Sequence, residues 1–255
     1  MKNVLVVALA LQSLAVTAVP AVARSWKAPE GCEIFMTVQS KGCRVSNHYR
    51  CTGDAQGDQW RADFDQEGMF FRSRINFETE WVESYETDPA MRQVLEPNPT
   101  DAASFSELIS SGMDTFDFAL SRDNGERGLV SGFDRLTGAS ITIDGIRLEE
   151  TEFEYRETDE FGNLRRAGRG KEYISRDLRM FFSGPSQTLW SLDDSGEEEW
   201  LPIDGSPLQF IKPGEKGFAS SQPIFDCDAL TAGAEGPFQI WKASLSTAAP
   251  FKQAP

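Results

Sequence analysis

The sequence predicts a mainly β protein: a strongly curved antiparallel meander sheet or incomplete barrel with two short helices inserted, a β-sandwich being the alternative. Three observations carry this. From Met69 to Tyr85, apolar Met69, Phe71, Ile75, Phe77, Trp81 and Tyr85 alternate with polar Arg72, Arg74, Asn76, Glu78 and Glu80. A period of two over some 17 residues is the signature of strands with one covered face. Turn dipeptides punctuate the chain at hairpin spacing, Asp144-Gly145 most clearly, since both residues tolerate the positive φ of a type I′ turn. Finally, an even set of four cysteines fits two disulfides in an exported chain.

The first element to justify is not part of the fold. Met1-Lys2-Asn3 is followed by an apolar run from Val4 to Val19 and by Pro20-Ala21-Val22-Ala23. A short positive end, an apolar stretch and small residues at a cleavage site read as a signal peptide over residues 1–23, cut after Ala23. The run is shorter than the roughly 20 residues of a comfortable span. The chain also lacks a twin-arginine pair and a lipid-acceptor cysteine directly after the run. The expected address is therefore periplasmic or secreted, with no membrane span after cleavage. One β-rich domain is expected over residues 24–243, then a frayed tail over 244–255.

The first hairpin follows from parity. Cys32, Ile34, Met36 and Val38 are apolar on even positions; Cys43, Val45, Tyr49 and Cys51 on odd ones. A two-residue loop at Lys41-Gly42 puts both sets on one face and Cys32 opposite Cys51, within disulfide reach. Cys43 and Cys51 lie roughly 26 Å apart along one strand and cannot bond. Cys43 is left for Cys227.

Trp60, Ala62 and Phe64 continue the pattern, and Asp65-Gln66-Glu67-Gly68 turns the chain. The stretch from Met69 to Tyr85 is too long for one flat strand, so one bent strand, or two joined by a bulge, is expected. Asp88-Pro89 is a good N-cap and N1 pair for a helix to about Leu95. Thr100 can cap a second, with Phe105, Leu108 and Ile109 on one face and Gly112 as its stop. Strands return with Phe116, Phe118 and Leu120, the turn Asp123-Asn124-Gly125, the Asp144-Gly145 hairpin, a bulge between Leu148 and Thr151, and the turn Asp159–Gly162.

The net charge of −15 disfavours nucleic acid and anionic membrane faces. The sequence holds no G-x-S-x-G, S-x-x-K, H-E-x-x-H or P-loop pattern, and no catalytic residue, metal ligand or cofactor is assigned. The only histidine, His48, falls on the polar side of its strand and reads as a surface residue. Asp194-Ser195-Gly196 sits in an acidic loop without the apolar flanks of an aspartic-protease motif or the ligand spacing of a calcium loop. Arg165, Arg166, Arg169, Lys171, Arg176 and Arg179 read as cross-strand ion-pair partners rather than an anion patch; Glu150 is expected opposite Lys171, and Glu152 opposite Arg169.

The architecture resembles the periplasmic half-barrel carriers that hold acyl chains. That resemblance implies a concave sheet face open to a lipid or other apolar ligand, or to an envelope protein. The expected function is non-enzymatic binding through the stripe Phe71, Ile75, Phe77, Trp81 and Tyr85. The alternative is an envelope-polymer hydrolase using an acidic pair.

Overall fold

The computed structural model describes residues 25–192 and 196–227. The proposed signal peptide and C-terminal tail lie outside the described residues, as do Asp194 and Ser195 of the acidic loop.

The described strands form one antiparallel meander. They are β1 (Cys32–Ser40), β2 (Arg44–Cys51), β3 (Gln59–Phe64), β4 (Met69–Ile75), β5 (Trp81–Thr87), β6 (Ala90–Leu95), β7 (Met113–Arg122), β8 (Arg127–Ile143), β9 (Ile146–Thr158), β10 (Leu164–Ser175), β11 (Met180–Leu192), β12 (Glu198–Asp204) and β13 (Pro207–Ile211). Among the described residues one helix, α1 (Phe105–Ser111), interrupts them. Each strand pairs with the next in sequence, except that β13 returns to pair with β1. The sheet is thus a 13-stranded curl, not closed into a barrel, with β12 and β13 as its edges. The tip of the first hairpin meets the corner joining those edges: Lys41 Nζ lies 2.7 Å from Asp204 Oδ2, and Arg44 Nη2 donates to the Gly205 carbonyl at 3.1 Å.

Both expected disulfides are present, Cys32–Cys51 and Cys43–Cys227. The hairpin that carries the first differs from the simple register. Its turn has three residues, Lys41-Gly42-Cys43, so Ser40 faces Arg44 and Met36 faces His48. A bulge at Phe35 shifts the ladder back by one residue, which restores Cys32 opposite Cys51. Slipping the register moves side chains between faces. Met36 and Val38 therefore pack with Leu148, Met180, Phe182 and Phe210, while Val45 and Tyr49 pack with Ala62 and Phe64 in a separate cluster. This region of the sheet is covered by apolar packing on both faces, not one.

The long alternation from Met69 to Tyr85 is a hairpin rather than one bent or bulged strand. Asn76 makes the turn by accepting from the Glu78 and Glu80 amides at 3.0 and 3.1 Å. The first expected helix is also a strand. Asp88-Pro89, with a cis peptide bond, is the turn between β5 and β6, and β6 is hydrogen-bonded on both sides. Six residues make a marginal helix, whereas two ladders satisfy the backbone. The second expected helix forms, but is capped by Ser104, whose hydroxyl accepts from the Glu107 amide at 3.1 Å. Gly112 ends it at φ 87°, and Phe105 and Leu108 are buried, as the pattern requires. Asp144 and Gly145, at φ 48° and 78°, make the expected turn between β8 and β9.

Candidate functional site

The concave side of the curl lines a partly open cavity of about 400 Å³. One wall is built from β2 to β5 and presents Arg44, His48, Arg61, Ser73, Ile75 and Trp81. Strands β7 to β10 supply the facing wall, and register places its side chains in rows. Asp114 is opposite Asp134, and Asp134 opposite Phe153. In the next row Phe116 is opposite Gly132, Gly132 opposite Tyr155 and Tyr155 opposite Gly168.

The glycines explain why this wall leaves space. A Cβ on Gly132 would lie 2.7 Å from the Phe116 ring and 2.2 Å from the Glu154 carbonyl oxygen. At Gly168 it would lie 2.5 Å from the Tyr155 ring. Each aromatic ring therefore rests over the glycine of the neighbouring strand, flat against the sheet instead of standing into the interior. Glycine inside a strand weakens it unless something approaches closely, and here an aromatic ring does.

The cavity also carries charge. On the β2–β3 wall, Arg61 Nε lies 3.1 Å from Asp63 Oδ2, and Asp63 is fully buried. His48 is buried, contrary to the surface position its strand parity suggested: it does face away from Val45 and Tyr49, but that face of β2 lines the cavity instead of meeting solvent. Burial, then the nearby Arg61, Arg44 and Arg50, lowers its pKa to about 3, so the imidazole is neutral. It packs against Phe182 with ring centroids 5.9 Å apart.

On the other wall, Asp134 makes no hydrogen bond or ion pair among the described residues. Burial, then the neighbouring Glu172 and Asp114, holds its pKa well above the carboxylate range. Glu172 is likewise raised by burial, against the pull of Arg61 and Arg44. Asp114 is raised to about 6, chiefly by burial; its Oδ2 accepts from the Ser104 amide at 2.9 Å, and its Oδ1 has no hydrogen-bond partner. Below this wall, Arg122 and Glu157 form a buried ion pair.

The sequence-predicted stripe does not stay together, because its parity runs through the β4–β5 turn. Ile75 and Trp81 line the cavity. Phe71 is buried against Trp81, with ring centroids 6.0 Å apart. Phe77 is 51% exposed in the turn, beneath the Arg179 guanidinium. Tyr85 lies opposite Arg72, on the same face as Trp60, which it stacks against at 6.4 Å.

The basic cluster is largely neutralised. Arg165 pairs with Asp159, Lys171 with Glu150, Arg176 with Glu149 and Arg179 with Glu78, at 2.7 to 3.2 Å. The β9–β10 register differs from expectation, setting Lys171 opposite Glu152 and Arg169 opposite Glu154. The Lys171–Glu150 pair is diagonal, and Arg169 lies over the Trp200 ring.

Sequence reasoning passed over Asp114, Asp134 and Glu172 because they are few among 40 acidic residues. The available signal was the pair of mid-strand glycines, Gly132 and Gly168. Among the described residues, no helix is long and apolar enough to cross a membrane, and no group of three or more His, Cys, Asp or Glu could hold a metal ion. Comparison with protein-family models, with curated proteins and with solved structures finds no match.

Proposed function

We propose that this chain is a binding protein that holds one small, largely apolar molecule inside its curled sheet. The observation that carries this reading is the pair of glycines that keep Phe116 and Tyr155 flat, so that the interior is hollow where ordinary side chains would fill it. A volume of about 400 Å³ lies within the range of small-molecule sites, about 300–1,000 Å³. Aromatic walls with a few convergent polar groups are the usual composition of such sites. The two disulfides fit an oxidising compartment, which supports an extracytoplasmic place of work.

The acidic-pair hydrolase is the second reading, and the carboxyls of Asp114, Asp134 and Glu172 are what favour it. The mid-strand glycines that clear room beside Phe116 and Tyr155 make binding the better-supported function.

Titration with the neutral fluorescent probe N-phenyl-1-naphthylamine tests the proposal. Saturable enhancement with one site per chain is expected. Gly168→Ala, which forces the Tyr155 ring off the wall, should weaken it about fivefold or more while the melting curve remains cooperative. No saturable enhancement, or identical binding by the variant, would overturn the reading.

A further inference from the structure

We propose that the molecule held in this cavity carries an organic ammonium group, seated between the carboxyls of Asp134 and Asp114 and the rings of Phe116 and Phe153. The inference rests on the cavity reading above and specifies the ligand class for the same site.

Asp114 and Asp134 are directly opposed in the β7–β8 ladder. Like charges so placed destabilise a sheet, and burial aggravates the repulsion because low dielectric strengthens it. Two other buried carboxylates lie within ion-pair distance of a cation: Glu157 of Arg122, and Asp63 of Arg61. Asp134 has none; the charged groups acting on it are the carboxyls Glu172 and Asp114. Asp114 is only 4% exposed, lines the cavity and leaves Oδ1 without a partner. The next charges around it, Glu107, Asp101 and Glu78, are acidic too. The site is short of positive charge, and the cavity gives a ligand room to supply it.

The arginines on the cavity wall do not fill this role. Arg61 lies against Asp63; Arg166 is 3.9 and 4.0 Å from Glu86 and Glu157; Arg44 donates to the Gly205 carbonyl. Side chains of metal-ligating type do not cluster closely enough among the described residues to hold a metal ion. Phe153 is the cross-strand neighbour of Asp134, and Phe116 follows Asp114 on the same face of β7. Aromatic faces attract cations, best where water is excluded. Carboxyl oxygens that accept N–H hydrogen bonds, beside aromatic faces, form an ammonium site.

Three ligands with one tail separate the outcomes: 4-phenylbutylamine, 4-phenylbutanol and 4-phenylbutyrate, titrated calorimetrically into the full protein. Titrations in 150 and 500 mM NaCl screen attraction to the acidic exterior. The amine is expected to bind at least tenfold tighter than the alcohol at both salt concentrations, and the carboxylate weakest. Asp134→Asn should abolish the gap between amine and alcohol, as should Asp114→Asn if Asp134→Asn folds poorly. Equal binding of amine and alcohol, tighter binding of the carboxylate, or an undiminished amine preference in both variants would overturn the inference while leaving the cavity reading intact. Binding of none of the three would count against both.

Discussion

On the wall of the cavity built from β2 and β3, opposite charges are adjacent: Arg61 Nε lies 3.1 Å from Asp63 Oδ2, and His48 is held neutral among arginines. On the wall built from β7 to β10, Asp114 faces Asp134 across a ladder, Glu172 stands two strands beyond Asp134, and no side-chain cation pairs with them among the described residues. The first wall is also stapled. Cys32–Cys51 closes the β1–β2 hairpin, and Cys43–Cys227 ties its tip to the chain 184 residues on. The difference teaches that the two walls answer to different demands. One is cross-linked, with opposite charges set side by side. The other keeps glycines, open space and opposed carboxyls that a structure selected only for stability would replace.

Removing the staple should have the largest effect. In the chain-entropy model, a loop of this length is worth about 5 kcal/mol and the 19-residue separation of Cys32 and Cys51 about 3 kcal/mol. Cys227→Ser should therefore lower the melting temperature more than Cys32→Ser, by about 4–8 °C at ~2–4 °C per kcal/mol. The reverse order in a thermal melt would show that the long-range staple is not what fixes the first wall.

Next comes the paired charge at the lower end of the second wall. Arg122→Met leaves Glu157 buried without its guanidinium, which costs about 3–5 kcal/mol. A denaturant midpoint within error of wild type would mean that the pair contributes nothing there.

The buried carboxyls with raised pKa values predict the pH dependence. Glu86, Asp114, Glu172 and Asp134 all have folded pKa values above their unfolded ones. Each contributes stability that is complete below its unfolded pKa and is lost as pH rises through its folded pKa, about 7 for Glu86 and about 6 for Asp114. His48 acts oppositely: its depressed pKa of about 3 removes stability as pH falls below 6.5. Four carboxyls outweigh one imidazole, so the melting temperature at pH 5.5 should exceed that at pH 8 by several degrees. Glu86→Gln should flatten the slope; a higher melting temperature at pH 8 would contradict the carboxyl assignments.

The smallest effect is the most diagnostic. Asp134→Asn removes a like-charge cross-strand contact and should stabilise the protein by about 0.2–1 kcal/mol at pH 8. A residue placed for structure alone would destabilise when changed. A gain in stability with a loss of amine preference is the signature of a group kept for its ligand.

How much of this was legible in the sequence depended on whether the information was local. The Cys32–Cys51 bridge, the Asp144-Gly145 turn and the Gly112 stop follow from parity and positive φ within a short stretch of chain, and Cys43–Cys227 follows by elimination. Asp88-Pro89 was misread as a helix start because the same dipeptide suits a helix start and a tight turn; only pairing with β5 and β7 decides between them. The face taken by Met36 and Val38 turns on the bulge at Phe35 and the third residue of the hairpin turn, and the burial of His48 on the cavity covering its side of β2; alternation alone reveals neither. The cavity was further out of reach. Phe116 and Tyr155 have the parity of core residues, and only the register that sets Gly132 and Gly168 beside them leaves the centre empty.

The most direct test of the hollow interior is a crystal structure of the protein with N-phenyl-1-naphthylamine bound. Electron density for the probe is expected between the two walls, against the rings of Phe116 and Tyr155 with Gly132 and Gly168 behind them. A cavity filled by those two rings, with the probe only on the outer surface, would contradict the account.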